Sequence, residues 1–226
     1  MKKIILSLVF GILMISGFAQ QRESRNLSSF NEMSVGEAIR VNLIHGSSEK
    51  AEIIASGIDL DDVITDISGS HLRIHLDGNN YRNIDVQINL TYRELEEIGI
   101  SSAARVVADE AISAESLEID VSSAGGGEMK LNAGKVEIDI SSAGNLELSG
   151  KADRLEVDVS SAGDLEAYDL ACQEADVSVS SGGSANVNIS TRIEARASSG
   201  GTIRYKGDPE KVFVNSNSGG SIKKRD

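Results

Sequence analysis

The sequence predicts an all-β fold, a parallel β-solenoid with coils of about 19 residues, preceded by less regular β coils. Three observations carry this. First, a five-residue phrase recurs as LEIDV at residues 117–121, VEIDI at 136–140 and LEVDV at 155–159, each followed by Ser-Ser-Ala-Gly. Second, the marker Ser-Ser-Ala/Gly-Ala/Gly starts at Ser101, Ser122, Ser141, Ser160, Ser180 and Ser198, with a degenerate Asn-Ser-Gly-Gly at Asn217, in steps of 21, 19, 19, 20, 18 and 19 residues. Third, apolar residues alternate strictly with polar ones on either side of the markers, as strands with one buried face require. A fixed period of this length indicates a repeat architecture.

Within the array, which runs from about residue 96 to 226, the apolar positions form columns. One reads Leu117, Val136, Leu155, Ala175, Ile193, Val212. Two residues on it reads Ile119, Ile138, Val157, Val177, Ala195, Val214, and two further on Val121, Ile140, Val159, Val179, Ala197, Ser216. After the marker a shorter column reads Val106, Gly127, Leu146, Leu165, Ala185, Ile203, Ile222. These columns are expected to stack inward. Nineteen residues of extended chain make a loop about 60 Å around, which suits one solenoid coil, with coils about 4.8 Å apart. A propeller blade needs about 40 residues, and most leucine-rich repeats carry a helical half that is missing here.

The marker sits where the chain must turn a corner. Small residues accept positive φ there, and Ser side chains are expected to bond local backbone groups or each other from coil to coil. A nucleophile motif is a poor alternative, since seven copies cannot all be active sites and no copy has a nearby His.

Before the array, Ile39, Val41 and Leu43, then Leu72, Ile74 and Leu76, then Val86, Ile88 and Leu90 alternate with polar residues, and residues 52–55 form a short apolar run. Turn signals at residues 45–48, 68–70 and 77–80 separate them. Residues 20–26 read as a polar lead. A short helix over residues 92–97 is discounted, because that stretch runs directly into the first repeat.

The first 19 residues read as a signal peptide: Lys2 and Lys3, an apolar run over 4–15, then small residues at Gly17 and Ala19. The run is too short to span a bilayer comfortably. The protein is therefore expected to be exported, to the periplasm, cell surface or exterior. The net charge is −13, or −15 without Lys2 and Lys3, which disfavours nucleic acid and anionic membranes as partners. Cys172, the one cysteine, is expected as a small apolar filler on a rung. His71 and His75, four strand residues and about 13 Å apart, cannot share one ion unaided.

Outward positions carry an acidic ladder: Glu97, Glu118, Glu137, Glu156, Asp176 and Glu194, beside Asp120, Asp139 and Asp158. Like charges facing one another on neighbouring strands repel. Calcium could relieve this, but no Gly-Gly-x-Gly-x-Asp loop stands beside the columns, and solvated carboxylates are the expected reading. No catalytic, cofactor-binding or metal-ligating residue is assigned, and no cofactor is expected. Enzymatic β-helices gather carboxylates in a cleft, often with aromatic platforms. Here the carboxylates lie in uniform columns and aromatics are 4% of the chain.

The lead Arg25-Asn26-Leu27-Ser28-Ser29-Phe30, the strand Ile39-Arg40-Val41-Asn42-Leu43 and the serial Ser/Gly markers resemble the putative auto-transporter adhesin head domain, or head GIN domain, of secreted proteins from Bacteroidetes-type bacteria. The resemblance covers residues 25–226 and makes 20–226 one domain. It implies a right-handed β-helix, an envelope or surface location and no catalytic residues. An autotransporter needs a membrane barrel, and none is visible, so display is expected to use another route or protein. The leading functional expectation is a non-enzymatic binding module whose partner is an unknown envelope or surface protein or a glycan. A self-associating, homo-oligomeric structural protein and a carbohydrate-active β-helix enzyme are the alternatives. The last residues, 223–226, are expected to cap the open end.

Overall fold

The computed structural model describes residues 20–78 and 81–225. The signal-peptide reading of residues 1–19 lies outside them. Among the described residues, sixteen strands form one continuous hydrogen-bonded sheet wound into stacked coils. The five long strands at its centre are β9 (Arg105–Val121), β10 (Gly126–Ile140), β11 (Asn145–Val159), β12 (Asp164–Val179) and β13 (Ser184–Ala197). Each pairs in parallel with the next, and their registers superimpose the repeats: Ile119 on Ile138, Ile138 on Val157, Val157 on Val177, and Val177 on Ala195.

The two strand-like halves expected of each unit are one strand with a bend inside it. In β11, Ala152 and Leu155 are buried while Asp153 and Arg154 between them are exposed. Two successive outward residues change the parity of the strand and turn its apolar face back onto the same core. Register shifts at Met129/Leu131, Glu147/Ser149 and Ala167/Ala171 mark bulges in the other arm. There one inward column runs Ala108, Met129, Leu148, Ala167, Val187, a second runs Ile112 and Leu131, then Leu170 across Gly150, and Ile189 stands on Cys172; all these apolar residues are buried.

The markers are tight turns. In the Ser141 copy, Ser142 and Ala143 have φ of 50° and 61°, and the Gly144 amide donates to the Ser141 carbonyl at 2.9 Å. Two successive left-handed residues closed by this bond make a type I′ turn. Coils are joined through the turns by backbone bonds: the Ala124 amide donates to Ser142 O and the Ala143 amide to Ser161 O, both at 3.0 Å. The hydroxyl ladder expected from the sequence is thus a backbone ladder. Among the described residues, no marker hydroxyl makes a hydrogen bond of its own. The fourth marker position approaches the coil below. A Cβ on Gly144 would lie 2.7 Å from Val121 O, and one on Gly201 2.5 Å from Val179 O.

The structure adds an eighth turn of the same kind, at residues 36–39, that carries no Ser-rich marker. Glu37 and Ala38 both have φ of 59°, the Ile39 amide donates to Gly36 O, and the Ala38 amide donates to Ser102 O. This turn joins β2 (Glu32–Val35) to β3 (Arg40–His45). β2 pairs with β8 (Glu97–Ile100), and β3 with β9, so residues 32–45 form a coil directly under the array. The next coil outward comes later in the chain. It is β6 (His71–Leu76) beneath β2 and β7 (Asp85–Tyr92) beneath β3, both parallel. Chain order and stacking order therefore differ at this end.

Antiparallel strands close it. β5 (Val63–Ser68) pairs with β6, β4 (Lys50–Ser56) with β7, and β1 (Gln21–Asn26) with β4. The polar lead of the sequence is thus this edge strand, and polar residues are what an exposed edge tolerates. Arg25 fastens it across the end. Its guanidinium donates to the carbonyls of Val63 and Leu60, the latter in a single 3-10 turn at Leu60–Asp62, and pairs with Glu23 at 2.9 Å.

At the other end, β14 (Thr202–Lys206) and β15 (Lys211–Ser216) lie on β13, and β16 (Ser221–Lys224) on β14. The expected basic cap is not what forms here. Lys223 and Lys224 extend β16 in register with Arg204 and Tyr205. The inward columns simply emerge, with Val212 and Val214 exposed above a core that is buried from Phe30 to Ile203. A short tail that continues the alternation gains ladder hydrogen bonds by adding to the coil rather than folding over it.

Candidate binding surfaces

The acidic columns stand in register on one face: Glu97 on Glu118, Glu118 on Glu137, Glu137 on Glu156, and Asp120 on Asp139 on Asp158. Part of the ladder is neutralised by the protein's own cations. Lys135 Nζ lies 2.8 Å from Glu137 Oε2 and 3.1 Å from Glu156 Oε2, so it bridges two coils. Arg196 lies 2.9 Å from Asp176 and also pairs with Glu194, which Arg192 contacts at 2.6 Å.

Glu118, Asp120 and Asp158 are pushed above the ordinary carboxylate range. Partial burial is the largest cause, and the carboxylates around them add to it: Asp120 and Glu97 for Glu118, Asp139 for Asp120, Asp139 and Asp176 for Asp158. A group raised in the folded state binds more protons folded than unfolded. Its favourable contribution is complete below the ordinary value of about 4 and is lost as pH rises through the folded value. Glu23, Glu52 and Asp208, held low by Arg25, Lys50 and Lys224, act oppositely and lose their contribution below that range. The melting temperature should therefore rise as pH falls from 7 towards about 4, then drop below that range. Added salt should raise it at pH 7 by screening the ladder. Differential scanning calorimetry of the native protein and of a Glu118→Gln, Asp120→Asn, Asp158→Asn variant checks this. The variant should lose most of that rise, and a native protein whose stability only falls with acid would contradict the assignment.

At the basic end of this face the column changes character. Asp139 and Asp158 are followed in register by Ser178, Arg196 and Asn215. An open groove of about 450 Å³ runs along these residues beside the turn ladder, lined by Asp139, Asp158, Arg196, Asn215 and the serines Ser141 and Ser160. It offers carboxylate acceptors, hydroxyls and a guanidinium at coil spacing. Sequence reasoning missed Arg196 and Asn215 here. Their signal was the break they make in an otherwise acidic column.

Cys172 sits on a column of small residues, in register with Ala152, which stands on Ala133. Its thiol donates to Glu174 O at 3.1 Å, and burial pushes it up to about 11, far from a nucleophile's range. The histidines have separate partners: His71 touches Ser34 Oγ at 2.7 Å, His75 lies 3.6 Å from Asp66, and His45 packs edge-on against Tyr92. Among the described residues, no group of three or more His, Cys, Asp or Glu is placed to hold a metal ion. No helix among them is long and apolar enough to cross a membrane.

Fold and surface together define a β-solenoid with a smooth apolar interior and outward ladders of repeated polar side chains. Residues 29–209 match the family described as "Putative auto-transporter adhesin, head GIN domain", and the chain belongs to it. Its fold is similar to that of a putative adhesin from Bacteroides fragilis, at 18% identity and TM-score 0.83, over 92% of this chain and 97% of that one. It is also similar to a putative adhesin from Parabacteroides merdae, at 19% identity and TM-score 0.76, over 92% and 96%. A third structure, a putative lipid binding protein from Parabacteroides distasonis, matches at 20% identity and TM-score 0.72, over 92% and 97%. Among curated proteins, none matches.

Proposed function

We propose that the protein is a non-enzymatic, exported binding module of adhesin type, working at the cell envelope or surface and holding a polar partner, a glycan or an envelope protein, along its ladder face. The groove beside the turn ladder carries this reading. Its groups repeat at the coil spacing of about 4.8 Å, so a ligand with repeating polar groups meets the same set more than once. Membership of the adhesin family supports the reading, and so does the acidic surface, which disfavours nucleic acid.

A glycan array, together with pull-down from intact cell envelopes, tests it. The native protein should retain a saturable partner, and a variant carrying Asp139→Ala, Asp158→Ala and Arg196→Ala should lose it. Retention that survives those three changes would move the site off this face. Turnover of a polysaccharide abolished by one Asp→Asn change would overturn the non-enzymatic reading.

A further inference from the structure

β15 is hydrogen-bonded on one side, to β13, and β16 on one side, to β14. Among the described residues, no strand covers their outer edges. An uncovered edge is a template for another strand, and natural edges are usually blunted by charge, Pro or a bulge. β15 is not blunted at its centre. Val212, Phe213 and Val214 are 43%, 54% and 55% exposed. Phe213 also breaks its column, standing in register on Glu194 where the coils from Glu32 up to Glu194 all present Glu or Asp. The Arg192 guanidinium lies 5.6 Å from the centre of its ring.

Charge is segregated along the stack. Residues 94–178 hold 20 carboxylates against five Lys and Arg, whereas residues 191–225 hold three against eight. The open edge thus combines emergent apolar columns with a positive surround, which includes Lys211 and Lys223. A second copy fits it poorly. The opposite end offers the polar strand β1, which has no apolar column to set on Val212 and Val214. Two copies meeting open end to open end would bring two surfaces of the same positive sign together.

We propose that the β15–β16 edge is a strand-addition site for a partner polypeptide in which apolar residues alternate with Asp or Glu. Main-chain bonds to the free edge supply affinity, and alternate side chains supply selectivity. The chain contains the pattern. Residues 155–166, LEVDVSSAGDLE, stack in this way on their own neighbours. Carried to the open edge in the same register, Leu155 and Val157 would cover Val212 and Val214, and Glu166 would face Lys223.

A fluorescent peptide of residues 155–166, titrated into the full protein by anisotropy, tests the proposal. Saturable binding is expected, weakened about tenfold or more by Val214→Asp or Lys223→Glu, with circular dichroism confirming that the variants are folded. A peptide with its four acids amidated to Gln and Asn should bind more weakly. No saturable binding up to about 1 mM, or binding indifferent to Val214→Asp, would overturn it. So would sedimentation showing a native dimer that Val214→Asp dissolves and the peptide does not displace, since the occupant would then be a second copy.

Discussion

Val157→Asp should come close to abolishing the fold. Val157 is 2% exposed and lies in register between Ile138 and Val177, in the middle of three apolar columns. A carboxylate there has an apolar residue above and below it. It must be buried uncompensated or protonated, and either route costs several kcal/mol. A loss of about 4 kcal/mol, at a urea slope of about 2 kcal/mol/M, lowers the midpoint by about 2 M. The contrasting variant is Ser160→Ala, three residues away. Its hydroxyl makes no hydrogen bond in the turn, so the change should stay within about 0.5 kcal/mol. Comparable midpoints for the two variants would mean that inward and outward faces are exchanged.

Gly201→Ala should cost nearly as much, for a different reason. The methyl group would lie 2.5 Å from Val179 O, 2.7 Å from Val179 C and 3.0 Å from Ser180 N. All three are backbone atoms of the coil below, and none can swing away as a side chain could. Relief requires separating two coils locally, which puts the cost at about 3 kcal/mol. The neighbouring turn position behaves oppositely. Ala162 holds φ of 61°, a conformation that costs a non-glycine residue about 1–2 kcal/mol. Ala162→Gly removes that strain, offset by about 0.4–1 kcal/mol of unfolded-state entropy, and should leave stability unchanged or slightly higher. Thermal melts of the two variants check the pair. A Gly201→Ala protein as stable as the native one would contradict the close stacking of turns.

These contrasts show what the sequence makes legible. Burial of Leu117, Ile119 and Val121 and of their counterparts follows from alternation at a fixed period, because each coil solves the same packing problem with the same side chains. The turns were legible for the same reason, yet their chemistry was not. Seven Ser-rich markers suggested hydroxyl bonds, whereas the requirement is two successive left-handed residues, joined in six of the seven markers by a fourth-position Gly that lets the next coil approach. The turn at residues 36–39 meets the backbone requirement with Gly-Glu-Ala-Ile and so shares no letters with the markers. The inserted coil of β6 and β7 was legible as strands but not as a position, since its partners β2 and β3 precede it in the chain. The polar strand β1 carries no alternation to detect, because an edge that faces water has no second apolar face to bury.

The ladder face was half legible. The acidic columns could be read directly, and their register holds. The cations that answer them, Lys135 across Glu137 and Glu156 and Arg196 across Asp176 and Glu194, depend on which residues meet between coils and so needed coordinates. The same holds for the open edge. Its terminal residues 223–226 suggested a cap, but alternation placed Val212 and Val214 at the surface and Lys223 within a strand.

Stacking of every repeat in register is the claim on which both proposed surfaces depend, and a distance between two rungs tests it most directly. Spin labels at Glu97 and Glu194, outward residues of one column separated by five rungs, can be measured by pulsed electron paramagnetic resonance. Five coil spacings of about 4.8 Å predict a single narrow distance near 24 Å, widened by a few ångströms for the label arms. A broad distribution, or a distance beyond about 40 Å, would contradict the stacked solenoid and both binding surfaces with it.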